Sequence, residues 1–455
     1  MENLNILESI GNTPMIQIKN FDTGPCELFV KLENQNPGGS IKDRIALTMI
    51  EAAEREGKIK PGDEIIEATA GNTGLGLALV ATLKGYKLTL VIPDKMSQEK
   101  IHHLRAMGVN ILITRSDVEK GHPEYYQDIA GRIAKERNAY YIDQFNNPAN
   151  PLAHELTTGP EIWQQMNRNV DAIVLGVGSS GTVSGLTNFF KKAQPNLEFV
   201  LADPAGSILA PYINTGKIPE EVGSWLIEGI GEDFIPSIAD FSMTHKAYAI
   251  PDRDSFTTAR DLLIKEGIFA GSSSGTLMAS ALQYCREQNS KKRVVTFICD
   301  SGNKYLTKMY NDLWLKDRGF MDREKCGDLR DLVFRRYGTG EIIVVQPNES
   351  LRAAFMKLKE FSISQVPVME DNQVIGVLDE SDILIHLTND VDDFSTPVST
   401  VMNQNVVTIR ANASEEELLE ILKKDYVALL ETEKGEFYGL ITKIDYVNYL
   451  RLKTI

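Results

Sequence analysis

The 455-residue chain carries 48 Lys and Arg against 63 Asp and Glu, a net charge of −15, with 42% hydrophobic and 24% charged residues. Such a length exceeds one ordinary core and predicts two or more domains of a soluble globular protein. The acidic balance excludes a nucleic-acid partner, because phosphate repels it, and no apolar run is long enough to span a membrane.

The N-terminal Met1-Glu2-Asn3-Leu4-Asn5 lacks the basic and apolar regions of a signal peptide. From about residue 6 to about 317, short β-branched runs alternate with helical patterns. Glu64-Ile65-Ile66 leads into a Gly-rich turn and an apolar helix at 75–83, followed by a buried strand at 88–92 and a helix at 96–107. Ile173-Val174-Leu175, Phe199-Val200-Leu201 and residues 294–298 are further strands, separated by crossover-length segments. This βαβ rhythm predicts an α/β domain, 1–318, with sheets flanked by helices and ligands at the carboxyl ends of the strands.

The charged stretch 319–337 reads as a linker to a C-terminal region, 338–455, that contains an internal repeat. The first copy, about 338–390, runs from Ile342-Ile343-Val344-Val345 through a helix at 351–359 to Gln365-Val366-Pro367-Val368 and Gly376-Val377-Leu378-Asp379. The second, about 396–455, runs from Val406-Val407-Thr408-Ile409 through a helix at 415–423 to Val427-Ala428-Leu429-Leu430 and Gly439-Leu440-Ile441-Thr442. A period of about sixty residues predicts a tandem α+β pair whose copies pack together. Cys26, Cys285, Cys299 and Cys326 show no paired spacing, predicting a reducing cytoplasm with neither disulfides nor zinc. The six histidines offer no metal-ligand pair at helical spacing and read as solvated surface groups; no metal is expected.

Four segments carry candidate chemistry. Asn36-Pro37-Gly38-Gly39-Ser40-Ile41-Lys42 presents a lysine at a helix start, where the positive end of the helix favours an uncharged amine able to form a Schiff base with an aldehyde cofactor. Glu67-Ala68-Thr69-Ala70-Gly71-Asn72-Thr73-Gly74 turns from strand to helix with backbone N–H groups suited to a carboxylate, and Asn72 can donate to a cofactor ring oxygen. Gly176-Val177-Gly178-Ser179-Ser180-Gly181-Thr182 suits one phosphate: it lacks the Lys-Ser/Thr of a Walker loop and the spacing of the dinucleotide fingerprint. A serine of Gly271-Ser272-Ser273-Ser274-Gly275 could face a pyridine nitrogen; a neutral hydroxyl does not enforce ring protonation and so favours β-elimination. Alone, each segment also reads as an ordinary turn or a solvated lysine.

In this order the four segments, with Ile10-Gly11-Asn12-Thr13-Pro14 and Asn150-Pro151-Leu152-Ala153-His154, resemble the fold-type II pyridoxal-phosphate family of cysteine synthases and cystathionine β-synthases, over about residues 5 to 318. The resemblance implies pyridoxal 5′-phosphate on Lys42, which also carries a proton. It implies Asn72 on the ring 3′-oxygen, Gly178, Ser179, Ser180, Gly181 and Thr182 around the phosphate, and Ser273 at the pyridine nitrogen. Thr69, Ala70, Gly71, Thr73 and Gln144 would bind the substrate α-carboxylate. The acidic segment Glu228-Gly229-Ile230-Gly231-Glu232-Asp233 and the segment Asp300-Ser301-Gly302-Asn303-Lys304 resemble the cystathionine β-synthase branch, as does the tandem repeat, which resembles the Bateman module. Gly229, Glu232 and Asp233 are then expected near the acceptor substrate.

That branch implies L-serine and L-homocysteine giving L-cystathionine and water, the first step of transsulfuration. A cysteine synthase using O-acetylserine and sulfide is the alternative, or a cystathionine synthase using O-acetylserine. A chiefly nucleotide-sensing or scaffolding chain is a third reading, against which the intact Lys42 motif speaks. In the module, Thr442 and Asp445 stand where an adenosine ligand such as S-adenosylmethionine would bind, whereas Asp379 replaces the threonine in the first repeat. A homodimer or higher homo-oligomer is implied. Ala70 stands where many relatives carry serine, Ser180 for a glycine, Glu155 for a tyrosine and Cys299 for a proline. No haem is expected, because the catalytic pattern begins almost at Met1.

Overall fold

Strands with little water-facing surface organise the first of two units, Met1–Tyr310 and Asn311–Ile455, in a computed structural model that describes residues 5–453 apart from 70, 95, 119, 120, 334, 390–393 and 425. The first unit's strands are β1 (Met15–Gln17), β2 (Glu27–Leu32), β3 (Glu64–Ala68), β4 (Lys87–Pro93), β5 (Asn110–Thr114), β6 (Tyr140–Tyr141), β7 (Ala172–Leu175), β8 (Glu198–Pro204), β9 (Thr244–Ile250) and β10 (Arg293–Ile298). Among the described residues they form a sheet in the order β1-β2-β10-β7-β8-β9 and another in the order β5-β4-β3-β6. Every pairing is parallel except β1 with β2. All four residues of β7 are buried, as are six of the seven in β4, because helices cover both faces.

Helix Lys42–Arg55 buries Ile45, Met49 and Ile50 against Leu75, Leu77, Leu90 and Leu104 of the core around the four-stranded sheet. Its neighbour, helix Asn72–Lys84, approaches closely at Gly76, where a Cβ would stand 2.9 Å from the Lys42 carbonyl oxygen. Any side chain there would push the two helix starts, and the residues they carry, apart. The sequence reading omitted β1, β2, β5, β6 and β9. In β9 the polar His245 and Lys246 interrupt the apolar run, and in β2 the buried Lys31 disguises a core strand.

The second unit holds the two predicted copies. The first has helix Leu351–Glu360, antiparallel strands Gln365–Glu370 and Gln373–Asp379, and helix Glu380–Asn389. Its expected leading strand at 342–345 reduces to a single bridge between Val345 and Val368. The second has strand Val407–Arg410, helix Glu415–Leu422, strands Ala428–Glu431 and Phe437–Ile441, and helix Lys443–Lys453. Part of the stretch 319–337 is packed: the 3-10 turn Leu329–Leu332 and Val333 are buried with Ile409, Leu418 and Leu430. Leu329, Leu332 and Val333 have the i, i+3, i+4 spacing of an apolar face, which the surrounding charges masked. Among the described residues, no helix is long and apolar enough to cross a membrane, and no group of three or more His, Cys, Asp or Glu could hold a metal ion.

Candidate active site

The strand ends of both sheets open on one cavity of about 750 Å³, lined by Lys42, Asn72, Gln144, residues 178–182, Glu232 and Ser273 among others. Lys42 is the first residue of its helix. The preceding turn is held by the Gly38 N–H, which donates to Asp43 Oδ2 at 2.5 Å, and Gly39 takes φ +73°. Burial holds the Lys42 ammonium pKa below its ordinary value, against the pull of Cys299, Glu232 and Asp300. A lysine so placed offers an uncharged amine more readily than a solvated one.

Asn72 opens the helix after β3, and its amide is clamped at both ends. Asn72 Nδ2 donates to Asp300 Oδ2 at 2.7 Å, and Lys304 Nζ donates to Asn72 Oδ1 at 2.9 Å. Lys304 Nζ also reaches the carbonyl oxygens of Gly38 and Gly39 at 3.2 and 3.1 Å, tying the lysine turn to the asparagine turn. Burial lowers the Lys304 pKa to about 8, with Asp300 opposing. One Asn72 N–H is left for another acceptor. Neither Lys304 nor Asp300 was singled out as a site residue by its sequence. A lysine only 7% exposed and an aspartate 0% exposed are rare, and the resemblance of their segment carried no role for either.

Residues 178–182 join β7 to helix Gly181–Ala193. A Cβ on Gly178 would lie 2.7 Å from the Gly229 carbonyl oxygen, and one on Gly181 would lie 1.8 Å from Asn150 Oδ1, so the backbone there must be bare. Ser180 takes φ +62°, the left-handed conformation that a glycine adopts freely. Asn150 Nδ2 donates to Ser179 Oγ at 2.9 Å, and His154 Nε2 lies 3.3 Å from Thr182 Oγ1. His154 is 1% exposed, which corrects the reading of the histidines as surface groups; burial, then Arg44 and Lys42, hold it neutral by lowering its pKa. Ser273, at the start of helix Ser272–Arg286, is buried and lines the cavity beside Cys299.

Thr69, Gly71, Thr73 and Gln144 lie together in the cavity wall, and Ala70 lies outside the described residues. Thr73 Oγ1 donates to Gln144 Oε1 at 2.8 Å, while Gln144 Nε2 donates to Glu67 Oε1 at 3.0 Å and to the Ala68 carbonyl at 3.2 Å. The Gln144 amide is thus turned into the protein, and the groups it leaves facing the cavity belong to the turn it supports. Gly229 (φ +88°), Glu232 and Asp233 line the same cavity; Glu232 is half-buried and Asp233 exposed. Tyr125 and Tyr126, from a segment in which the sequence reading found no motif, line it too. Burial, and the nearby carboxylates after it, push both phenols up.

Thr442 and Asp445, in the second unit, satisfy each other: Thr442 N donates to Asp445 Oδ2 at 2.8 Å and Thr442 Oγ1 to the same oxygen at 2.5 Å. Asp379 and Asp382 repeat the pattern, with N–H to carboxylate bonds of 3.0 and 2.8 Å. Both pairs cap the last helix of their copy.

The donor set of the cavity fits pyridoxal phosphate. A buried amine at Lys42, a bare glycine cradle opening a helix at 178–182 and a neutral hydroxyl at Ser273 match an aldehyde, a phosphate and a pyridine nitrogen. The family model for pyridoxal-phosphate dependent enzymes matches residues 6–300, and that for the CBS domain matches 333–389 and 398–452. A cystathionine beta-synthase of Dictyostelium discoideum is 36% identical over 464 residues, covering 98% of this chain and 92% of its own. A cysteine synthase of Staphylococcus aureus (strain N315) is 42% identical over 312 residues, covering 68% of this chain and 97% of its own. A solved structure of a hydrogen sulfide-producing enzyme from Fusobacterium nucleatum matches with a TM-score of 0.62 and 38% identity, over 67% of this chain and 100% of that one. The chain belongs to the pyridoxal-phosphate dependent enzymes and, within them, to the cystathionine beta-synthase family.

Proposed function

We propose that the chain replaces the β-hydroxyl of L-serine with the thiol of L-homocysteine, giving L-cystathionine and water. The observation that carries this reading is the meeting of Lys42, Asn72, the 178–182 loop and Ser273 around one cavity. Pyridoxal phosphate, when bound, supplies the electron sink that acidifies the amino-acid Cα–H and lets a β-substituent leave. Lys42 holds the cofactor and then moves the proton at Cα, a task that its lowered pKa favours over that of a solvated lysine. Residues 178–182 hold the phosphate at a helix start, Asn72 orients the ring through its free N–H, and Ser273 keeps the pyridine nitrogen on a neutral partner. Thr69, Gly71 and Thr73 seat the α-carboxylate, with Gln144 behind them. Glu232, with Asp233, faces the ammonium group of homocysteine.

A second reading, a cysteine synthase using O-acetylserine and sulfide, draws on the higher identity to the Staphylococcus aureus relative. A product assay crossing serine and O-acetylserine with homocysteine and sulfide decides between them. Cystathionine from serine and homocysteine at the highest kcat/KM is expected; cysteine from O-acetylserine and sulfide as the dominant product would overturn it.

The remaining assignments are proposals of the same kind. Thr442 and Asp445 are proposed to open their mutual bond for an adenosine ligand such as S-adenosylmethionine; calorimetry without heat from S-adenosylmethionine or adenine nucleotides would leave them as a helix cap. No haem is proposed, and a Soret band in protein from a haem-replete host would contradict that. A homodimer is proposed, read by light scattering. A cytoplasmic location is proposed on four free cysteines.

A further inference from the structure

Glu67 is fully buried in β3 and has no task in the chemistry above. Its Oε1 accepts from Gln144 Nε2 at 3.0 Å and, more weakly, from the Gln144 backbone N–H at 3.5 Å. Its Oε2 is buried and makes no hydrogen bond among the described residues. The Gln144 amide passes the constraint on through Oε1, which accepts from Thr73 Oγ1 at 2.8 Å, and both Gln144 and Thr73 line the cavity. A buried carboxyl therefore stands two hydrogen bonds behind the turn that seats the substrate carboxylate.

We propose that Glu67 is a positioning residue for the amino-acid carboxylate subsite, acting through Gln144 and Thr73. The proposal rests on the functional reading given above. With its Nε2 drawn to Glu67 and to the Ala68 carbonyl, Gln144 presents only its carbonyl oxygen to Thr73. The Thr73 hydroxyl is thereby turned onto Gln144, and the 69–73 turn is held in one shape. An unfixed amide would let the turn relax, at the expense of donor binding more than of the chemical step.

The charge state of Glu67 adds a consequence. Burial pushes its carboxyl up to about 8, against the pull of the Gln144 side chain and of the Gln144 and Asp143 backbone; the Asp143 carboxylate pushes it further. The other titratable groups facing this region are acids as well: Tyr141 on β6, whose phenol Glu67 helps to push up, with Asp128 and Tyr125 beyond it. At neutral pH Glu67 is protonated and the subsite meets a substrate carboxylate without a second anion behind it. As pH rises through about 8 the proton is lost, and the new charge opposes the substrate's own.

The test compares the wild-type holoenzyme with Glu67→Gln, which keeps the acceptor oxygen but cannot ionise. Donor affinity is read from the change in cofactor absorbance as serine or O-acetylserine is added, across neutral and alkaline pH. Wild-type donor affinity should fall about tenfold per pH unit above about 8, beyond any loss from the substrate's own ammonium, which titrates equally in both experiments. Glu67→Gln should lack that extra limb. Identical alkaline limbs in the two proteins would overturn the proposal. Wild-type infrared difference spectra need no variant: a carboxylic-acid carbonyl band present at neutral pH and lost on alkalinisation is expected, and its absence overturns the proposal equally. The two readings fail separately. A wild-type enzyme with no spectral response to either donor defeats the functional reading, whereas the infrared titration still reports on Glu67.

Discussion

Lys304 donates to Asn72 at 2.9 Å, and this one bond links the segment after β10 to the turn after β3. Because the same ammonium also holds the Gly38 and Gly39 carbonyls, it sets where Lys42 and Asn72 stand relative to each other. Hydrogen bonds to a charged donor contribute about 1.5–3 kcal/mol each when partners are buried. Lys304→Met should therefore weaken pyridoxal-phosphate binding by at least about tenfold, and Lys304→Arg by less. Fluorescence titration of the apoenzyme with the cofactor reads both. Unchanged affinity in Lys304→Met would mean that Asp300 alone holds Asn72.

Arg44, one turn behind the cavity, joins two carboxylates. It meets Glu33 at 2.7 and 2.8 Å and Glu161 at 2.7 Å through each of two nitrogens. Burial pushes the Glu161 carboxyl up, but Arg44 and Lys31 prevail and bring it down to about 2; Glu33 is lowered in the same way. A depressed carboxyl stabilises the fold above its ordinary value of 4.5, and that stability drains away as pH falls toward about 2. Arg44→Met should destabilise the first unit by about 3–5 kcal/mol at neutral pH, because buried Glu33 loses its ion-pair partner and keeps only the hydrogen bonds from Thr13 and Asn36. It should also flatten the acid limb of stability. Urea midpoints across acid pH measure both, and an acid limb as steep as wild type would contradict the role given to Arg44.

Ser180 holds a left-handed backbone in the loop proposed to hold the phosphate. Ser180→Gly should stabilise the protein by roughly 1 kcal/mol, since glycine meets no Cβ penalty there. The melting temperature of the apoenzyme checks this. A fall would show that the Ser180 hydroxyl bond to the Ser179 carbonyl, at 2.6 Å, outweighs the strain.

Glu232 acts on Lys42 and on the tyrosines of the cavity, whereas Asp233 is exposed. Neutralising a carboxylate that faces a substrate ammonium loses a charge-assisted contact. Glu232→Gln should raise the KM for homocysteine about tenfold, a loss of about 1.4 kcal/mol, with a smaller change for serine. Asp233→Asn should do less. Homocysteine kinetics unchanged in both would favour sulfide as acceptor.

The parts legible in the sequence were those written in local patterns. The apolar runs of β7 and β10 and the Gly-rich turns after β3 and β7 show their place because strand burial and bare backbone leave local marks. Residues whose meaning depends on distant partners were not legible. Lys31, Lys304 and Glu67 were given no role by the sequence, the last two standing only as members of longer segments, and their roles show once Glu161, Asn72 and Gln144 are brought beside them. His154 read as solvated because its second partner, Thr182, lies 28 residues further along the chain and comes beside it only on folding. Likewise Leu329 and Leu332 lay hidden in a charged stretch that packs on the second repeat.

The attachment point of the cofactor tests the assignment of Lys42 most directly. Borohydride reduction of the holoenzyme, followed by digestion and mass spectrometry, locates the lysine that carries the pyridoxyl group. The cavity offers three described lysines, Lys42, Lys100 and Lys308, and the latter two are engaged by Glu228 at 2.5 and 2.7 Å. The label is predicted on Lys42, with the Lys42→Ala protein losing both the visible cofactor band and turnover. A label on Lys100 or Lys308, or a retained band in Lys42→Ala, would contradict it.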